Sequence, residues 1–184
     1  MLKKLLFSLT ALASLHAHAD LKVGDAAPDF TAQAAMAGKA FTFSLRDALK
    51  NGPLVLYFYP AAFTPGCTLE AHRFAEAIGQ FQALGATVVG VSHDDIDTLK
   101  RFSESECRGK FAVVADTDRH IMKAYDAVMF IYPRYASRTS YVIAPDGRVL
   151  YAYSSLSPDK HVANTLAALR EWAARNMDRA PLER

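Results

Sequence analysis

The sequence predicts an α/β protein, a mixed sheet with helices on both faces, and three observations carry that prediction. Between Leu54 and Ala127, short apolar runs alternate with stretches of helical periodicity, the pattern left by strands joined through helical crossovers. The run Leu54-Val55-Leu56-Tyr57-Phe58-Tyr59 has no polar interruption, as expected of a strand covered on both faces. Near the end, Tyr141-Val142-Ile143 and Val149-Leu150-Tyr151 flank the turn signal Pro145-Asp146-Gly147, which predicts an antiparallel hairpin beside the crossover strands.

In chain order, Phe41-Thr42-Phe43 predicts a short edge strand and Leu45 to Lys50 a helical turn. After the strand Leu54 to Tyr59, the residues Leu69, Phe74, Ala77, Ile78, Phe81 and Leu84 recur at three- and four-residue spacing from Cys67 onward, with Gly85 as a stop. They predict an amphipathic helix laid on the sheet. Strands follow at Thr87 to Val91 and Phe111 to Ala115, with helices at Asp95 to Cys107 and Ile121 to Ala127. Pro158 is expected to open a last helix whose apolar face includes Val162, Leu166, Leu169 and Trp172.

Residues 1–19 carry a different pattern. Lys3 and Lys4 precede an apolar stretch from Leu5 to Leu15, and Ala17-His18-Ala19 forms a small-x-small site before Asp20. This is the signature of a cleaved secretory signal, and it predicts a periplasmic or secreted protein beginning at Asp20. The stretch falls short of the ~20 residues a membrane span needs, and no cysteine follows the site to suggest a lipid anchor. Without the leader, 19 basic residues face 19 acidic ones, so no basic stripe supports nucleic-acid or anionic-membrane binding. Residues 20–184 fit one domain with one core. The two cysteines, Cys67 and Cys107, suit a compartment that permits a disulfide, but their number does not show that they pair.

Cys67 is the residue best placed for chemistry. It lies in Pro60-Ala61-Ala62-Phe63-Thr64-Pro65-Gly66-Cys67, between the apolar strand and the amphipathic helix. Thr64 is a good N-cap and Pro65 fits the first helical position, so Cys67 falls in the first turn. There, free backbone N–H groups and the positive end of the helix dipole favour a thiolate, the reactive form of cysteine. The competing reading is a small buried hydrophobe.

A Pro, three residues, a Thr, two residues and a Cys resembles the active-site signature of the peroxiredoxins. Tyr59-Pro60 with Thr64-Pro65-Gly66-Cys67-Thr68 looks most like the Q-type branch, named for bacterioferritin comigratory protein. The similarity extends to Gly24-Asp25-Ala26-Ala27-Pro28-Asp29-Phe30, to Val89-Gly90-Val91-Ser92, and to Arg138-Thr139-Ser140-Tyr141-Val142-Ile143 with Asp146-Gly147. The resemblance implies a thioredoxin-like fold with an N-terminal extension and a thiol-dependent peroxidase acting on hydrogen peroxide and small organic hydroperoxides. Cys67 would attack the peroxide, the Thr64 hydroxyl would contact the peroxide and orient the thiolate, and Pro60 would shield the pocket. Arg138 would stabilise charge on sulfur and on the leaving oxygen. Plainer readings stand beside these: Thr64 as a simple cap, Pro60 as a strand terminator, Arg138 as a solvated residue with Arg134 nearby. Glu70 is useful to this chemistry only if paired with Arg138 or a backbone group; otherwise it is a first-turn acid favouring the helix dipole.

The chain departs from many Q-type members, which carry a resolving cysteine five residues after the first; here that position is His72. Cys107 is the remaining candidate, the alternative being a one-cysteine enzyme that depends on an external thiol. The resemblance implies a thioredoxin-like or small-thiol reductant, a monomer or weak homodimer, and no metal, haem, flavin or nicotinamide. A thioredoxin-like thiol-disulfide oxidoreductase is the rival, but it needs a second cysteine where Glu70 stands. A non-catalytic binding module would leave the Pro60, Thr64, Cys67 and Arg138 set without purpose. His93-Asp94-Asp95 is expected to be a solvated turn with an N-cap rather than a metal site, with no second cluster at ligand spacing. Tyr132-Pro133-Arg134-Tyr135 would line the pocket mouth or cover core edges.

Overall fold

A computed structural model describes residues 21–177, so the expected leader and its cleavage site lie outside the described residues. Seven strands form one sheet in the order β2-β1-β5-β4-β3-β6-β7. The strands are β1 (Thr31–Met36), β2 (Lys39–Ser44), β3 (Leu54–Phe58), β4 (Thr87–Ser92), β5 (Ala112–Ala115), β6 (Thr139–Ile143) and β7 (Val149–Ser154). The pairs β3–β4 and β4–β5 are parallel and the others antiparallel. The predicted mixed sheet is therefore present, with β2 at the edge as expected.

The helices are α1 (Leu45–Leu49), α2 (Pro65–Ala83), α3 (Ile96–Ser105), α4 (His120–Ala124) and α5 (His161–Met177). All five β3 residues are buried, and their alternation feeds two cores. Val55, Tyr57 and the following Tyr59 join Phe74 and Phe81 of α2, Leu99 and Phe102 of α3, and Leu166 and Leu169 of α5. Leu54, Leu56 and Phe58 face the other way, toward Leu45 and Leu49 of α1 and Ile121 and Met122 of α4. Gly90 has a steric reason, because a Cβ there would come within 2.8 Å of the Tyr57 ring. Among the described residues, no helix is long and apolar enough to cross a membrane.

Three local expectations change, and one strand appears where the sequence carries no signal. The strand β1, Thr-Ala-Gln-Ala-Ala-Met, carries no apolar alternation; it forms because β2 and β5 supply partners on both sides. Leu69 is exposed, while the buried stripe of α2 keeps the expected Phe74, Ala77 and Phe81 and adds Cys67, Glu70 and Ala71. The helix α4 stops at Ala124, where Asp126 turns to a positive φ and the Ala127 N–H closes back on the Met122 carbonyl. The last helix starts at His161 rather than Pro158, since Ser157 and Asp159 bond each other in a turn ahead of it.

Candidate active site

The strand β3 delivers the chain to the site. Tyr59 makes the last ladder bond, its N–H to the Val91 carbonyl at 3.0 Å, and Pro60, with no N–H, ends the pairing. The Ala62 N–H donates to Asp94 Oδ2 at 2.7 Å, and the Ser92 hydroxyl donates to the same oxygen at 2.7 Å. Phe63 follows with φ of 62°, a left-handed conformation that costs a non-glycine residue about 1 kcal/mol or more. Its ring sets edge-on against Phe102 of α3, centroids 5.2 Å apart. Thr64 is then the extended N-cap of α2 with Pro65 next to it, so Cys67 does occupy the first turn.

The Thr64 hydroxyl, however, makes no cap bond; it donates to the Ala61 carbonyl at 3.0 Å. The hydroxyl oxygen keeps its lone pairs for a further donor, and the first-turn N–H groups are not covered by a capping side chain.

Cys67 is 1% exposed, and Arg138 Nη2 donates to its sulfur at 3.5 Å. The same guanidinium uses Nε on the Leu156 carbonyl at 2.9 Å and Nη1 on Glu70 Oε2. Three anchors in one plane hold this fork as a lysine could not be held. Gly66 leaves it room, since a Cβ there would come 3.1 Å from Nη2. Burial works against the Arg138 charge, but Glu70 and Cys67 beside it outweigh burial and raise its pKa above the ordinary arginine value. Burial pushes Glu70 up to about 7 although Arg138 pulls it down. His161 lies behind Glu70, Nδ1 to Oε1 3.7 Å, with both side chains fully buried. Burial lowers the His161 pKa, the Arg138 charge adds to that, and the Ser155 carbonyl opposes both.

The structure thus brings Pro60, Thr64, Cys67 and Arg138 to one junction, with Glu70 paired to Arg138. Arg134 is elsewhere, its guanidinium 5.2 Å over the Tyr135 ring. Tyr135 in turn packs edge-on against His93, while Tyr132 is exposed. Cys107 is a free, fully buried thiol just past the end of α3, and Cys67 is also free. His72 Nε2 lies 2.8 Å from Glu106 Oε2, next to Cys107.

Two expectations are corrected. Asp94 is not a solvated turn residue but the tether of the Cys67 loop, whereas Asp95 is the N-cap of α3 as expected. A second cluster exists, with Asp116, Asp118 and His120 placing ligand atoms within 4.8 Å of one another; the Asp116 carboxylate is occupied by the Ile121 and Met122 N–H groups. Ser140 and His161 were missed altogether. Glu70 had a visible signal, a charged residue on the stripe that also holds Ala71, Phe74 and Phe81. Ser140 and His161 had none, because their partners come from β6, α5 and the turn between β7 and α5.

Residues 23–152 match the AhpC/TSA family. Peroxiredoxin Q of rice chloroplasts (Oryza sativa subsp. japonica) is 34% identical over 148 residues, covering 80% of this chain and 66% of the relative, so the chain spans about two thirds of that protein's length. The chloroplast peroxiredoxin Q of Populus jackii is 34% identical over 153 residues, 83% of this chain and 70% of its own. Among solved structures, peroxidoxin BcpB from Mycobacterium tuberculosis superposes with a TM-score of 0.75 at 32% identity, covering 82% of this chain and 97% of that one. The bacterioferritin comigratory protein of Xanthomonas campestris, described with alkyl peroxide reduction activity, gives 0.67 at 29% identity over 77% of this chain and 91% of its own. With the matching signature at Cys67 and the thioredoxin-like fold around it, the chain belongs to the AhpC/TSA family of peroxiredoxins, on the side of the Q-type, bacterioferritin comigratory proteins.

Proposed function

We propose that the chain is a thiol-dependent peroxidase for hydrogen peroxide and small organic hydroperoxides, with Cys67 as its nucleophile. The observation that carries this reading is the Cys67 sulfur in the first turn of α2, 3.5 Å from Arg138 Nη2. The thiolate attacks one peroxide oxygen, forming an S–O bond as the O–O bond breaks. The leaving oxygen departs as water or an alcohol with the proton the peroxide brought, and Cys67 is left as a sulfenate, oxidised by two electrons, which takes a proton from solvent to become the sulfenic acid. Arg138 and the first-turn N–H groups face the developing negative charge, and the Thr64 hydroxyl orients the peroxide. A second thiol condenses with the sulfenic acid, releasing water, and a thioredoxin-like or small-thiol reductant restores Cys67 by exchange.

Cys107 is our proposed second thiol. Pairing with Cys67 requires Cα atoms within ~7 Å and orientation of both Cβ vectors, which means unwinding the first turn of α2. The leader pattern supports export, with Asp20 as the first mature residue, and a monomer or weak dimer fits the family reading. Rapid mixing of the reduced protein with one equivalent of hydrogen peroxide tests the central reading. Stoichiometric loss of peroxide is expected, with Cys67 oxidised first and both free thiols lost once Cys107 resolves it; peroxide that persists as it does with free cysteine would refute the peroxidase reading.

A further inference from the structure

Behind the Cys67–Arg138 contact lies a polar group that packing alone does not require: Glu70, Ser140 and His161, all fully buried. Their hydrogens can be assigned from their partners. His161 Nε2 lies 3.0 Å from the Ser155 carbonyl, which only accepts, so Nε2 carries the hydrogen. The neutral ring favoured by burial then has Nδ1 as an acceptor, 2.8 Å from the Ser140 hydroxyl. Glu70 Oε2 accepts from Arg138. One atom is left over, Glu70 Oε1, buried without a hydrogen-bond partner and 3.7 Å from Nδ1. An ionised carboxylate would leave Oε1 a buried anionic oxygen with no donor, beside a ring nitrogen that carries no hydrogen, a costly arrangement in a dry interior. A hydrogen on Oε1 removes that cost, since a small shift brings Oε1–H to the single Nδ1 lone pair, which it takes in place of the rotatable Ser140 hydroxyl.

We propose that Glu70 is held as the neutral carboxylic acid in the reduced protein, with His161 as the positioning residue that accepts its hydrogen bond, so that the charge of Arg138 is left to the Cys67 thiolate. Arg138 is one cation between two potential anions, Glu70 on one nitrogen and Cys67 on another. In a buried site one cation with one anion is far cheaper than one cation with two. No second buried cation balances the count among the described residues around them. Arg73, on the same helix as Glu70, is partly exposed and paired with Asp159. Tyr57 of β3 also faces Glu70, and Tyr153 of β7 faces His161 with ring centroids 4.8 Å apart; neither phenol supplies positive charge. Burial pushing Glu70 up to about 7 acts in the same direction.

The proposal rests on the peroxidase reading, and its test separates the two. Infrared spectra of the reduced wild-type protein at about pH 6, within the range where proteins are generally most stable, should contain a carboxylic-acid carbonyl band that Glu70→Gln removes. His161→Phe should shift or abolish that band and lower the thiolate fraction of Cys67, read by ultraviolet absorbance, severalfold. His161→Asn, whose Oδ1 can stand near the position of Nδ1, should restore much of both. Absence of a Glu70 band in the wild type overturns the proposal whether or not the variants fold, as does a band and thiolate fraction unchanged in His161→Phe. Normal peroxide consumption without the band sinks this proposal alone; a band without peroxide consumption sinks the peroxidase reading and the purpose given to the pair.

Discussion

The two cysteines share one buried cluster, together with Tyr57 and Tyr59, and differ in almost everything else that governs a thiol. Cys67 sits in the first turn of α2, at the positive end of the helix and within reach of a guanidinium. Cys107 follows the last turn of α3, at the negative end, with Glu106 as its charged neighbour; burial first and then Glu106 push its thiol far above the ordinary range. Both are nearly inaccessible, so exposure does not separate them. What separates them is the supply of donors and positive charge: one buried sulfur lies at a helix N-terminus beside a guanidinium, and the other has neither.

The largest effect should come from exchanging the thiols. Cys67→Ser is expected to lower the rate of peroxide consumption by roughly 10³-fold or more, while Cys107→Ser leaves the first oxidation step fast and blocks only an internal disulfide. Without a resolving thiol, that variant should also overoxidise readily at excess peroxide, seen as sulfinic acid by mass spectrometry.

Next comes the charge that distinguishes the two sites. Arg138→Ala should slow reaction with peroxide about 10²-fold, comparable to loss of one oxyanion donor. Arg138→Lys should recover part of this, because an ammonium cannot hold Cys67, Glu70 and the Leu156 carbonyl together. Unchanged stopped-flow kinetics in Arg138→Ala would erase the distinction between the thiols.

A smaller effect concerns stability. Glu70 is raised in the folded state, from 4.5 to about 7, so the native protein holds a proton that the unfolded chain releases. Its contribution is fully present below about pH 4.5 and is lost as pH rises through about 7. At about 1.4 kcal/mol per unit, that amounts to a few kcal/mol. Denaturant titrations should show wild-type stability falling across this window relative to Glu70→Gln, whose curve should lack that component. The smallest effect belongs to the His72–Glu106 pair beside Cys107, partly exposed on both sides. His72→Ala should destabilise by less than about 1 kcal/mol and speed alkylation of Cys107 by no more than about fivefold.

Much of this was legible in the sequence because it rests on local signals. The unbroken Leu54 to Tyr59 run, the Thr64-Pro65 helix start and the Pro145-Asp146-Gly147 turn each carry their own geometry, and all three fall where expected. What was not legible depends on partners distant in sequence. The Ala-rich β1 is a strand only between β2 and β5, and the Asp94 tether joins residues 32 apart. His161 and Ser140 acquire meaning only once the first turn of α5 packs behind Glu70. Arg138 lay between, named from the family resemblance, yet its three-way grip could be seen only in the folded chain.

The claim that position, and not burial, selects the reactive sulfur is tested most directly by asking which thiol peroxide oxidises first. Reduced protein would be mixed with one equivalent of hydrogen peroxide, quenched on the millisecond scale with a sulfenic-acid trap, and both cysteine peptides quantified by mass spectrometry. The account predicts trapped sulfenic acid at Cys67 in the earliest samples, with Cys107 still a thiol and the same early rate in Cys107→Ser. Sulfenic acid appearing first or equally at Cys107, or at neither cysteine, would contradict it.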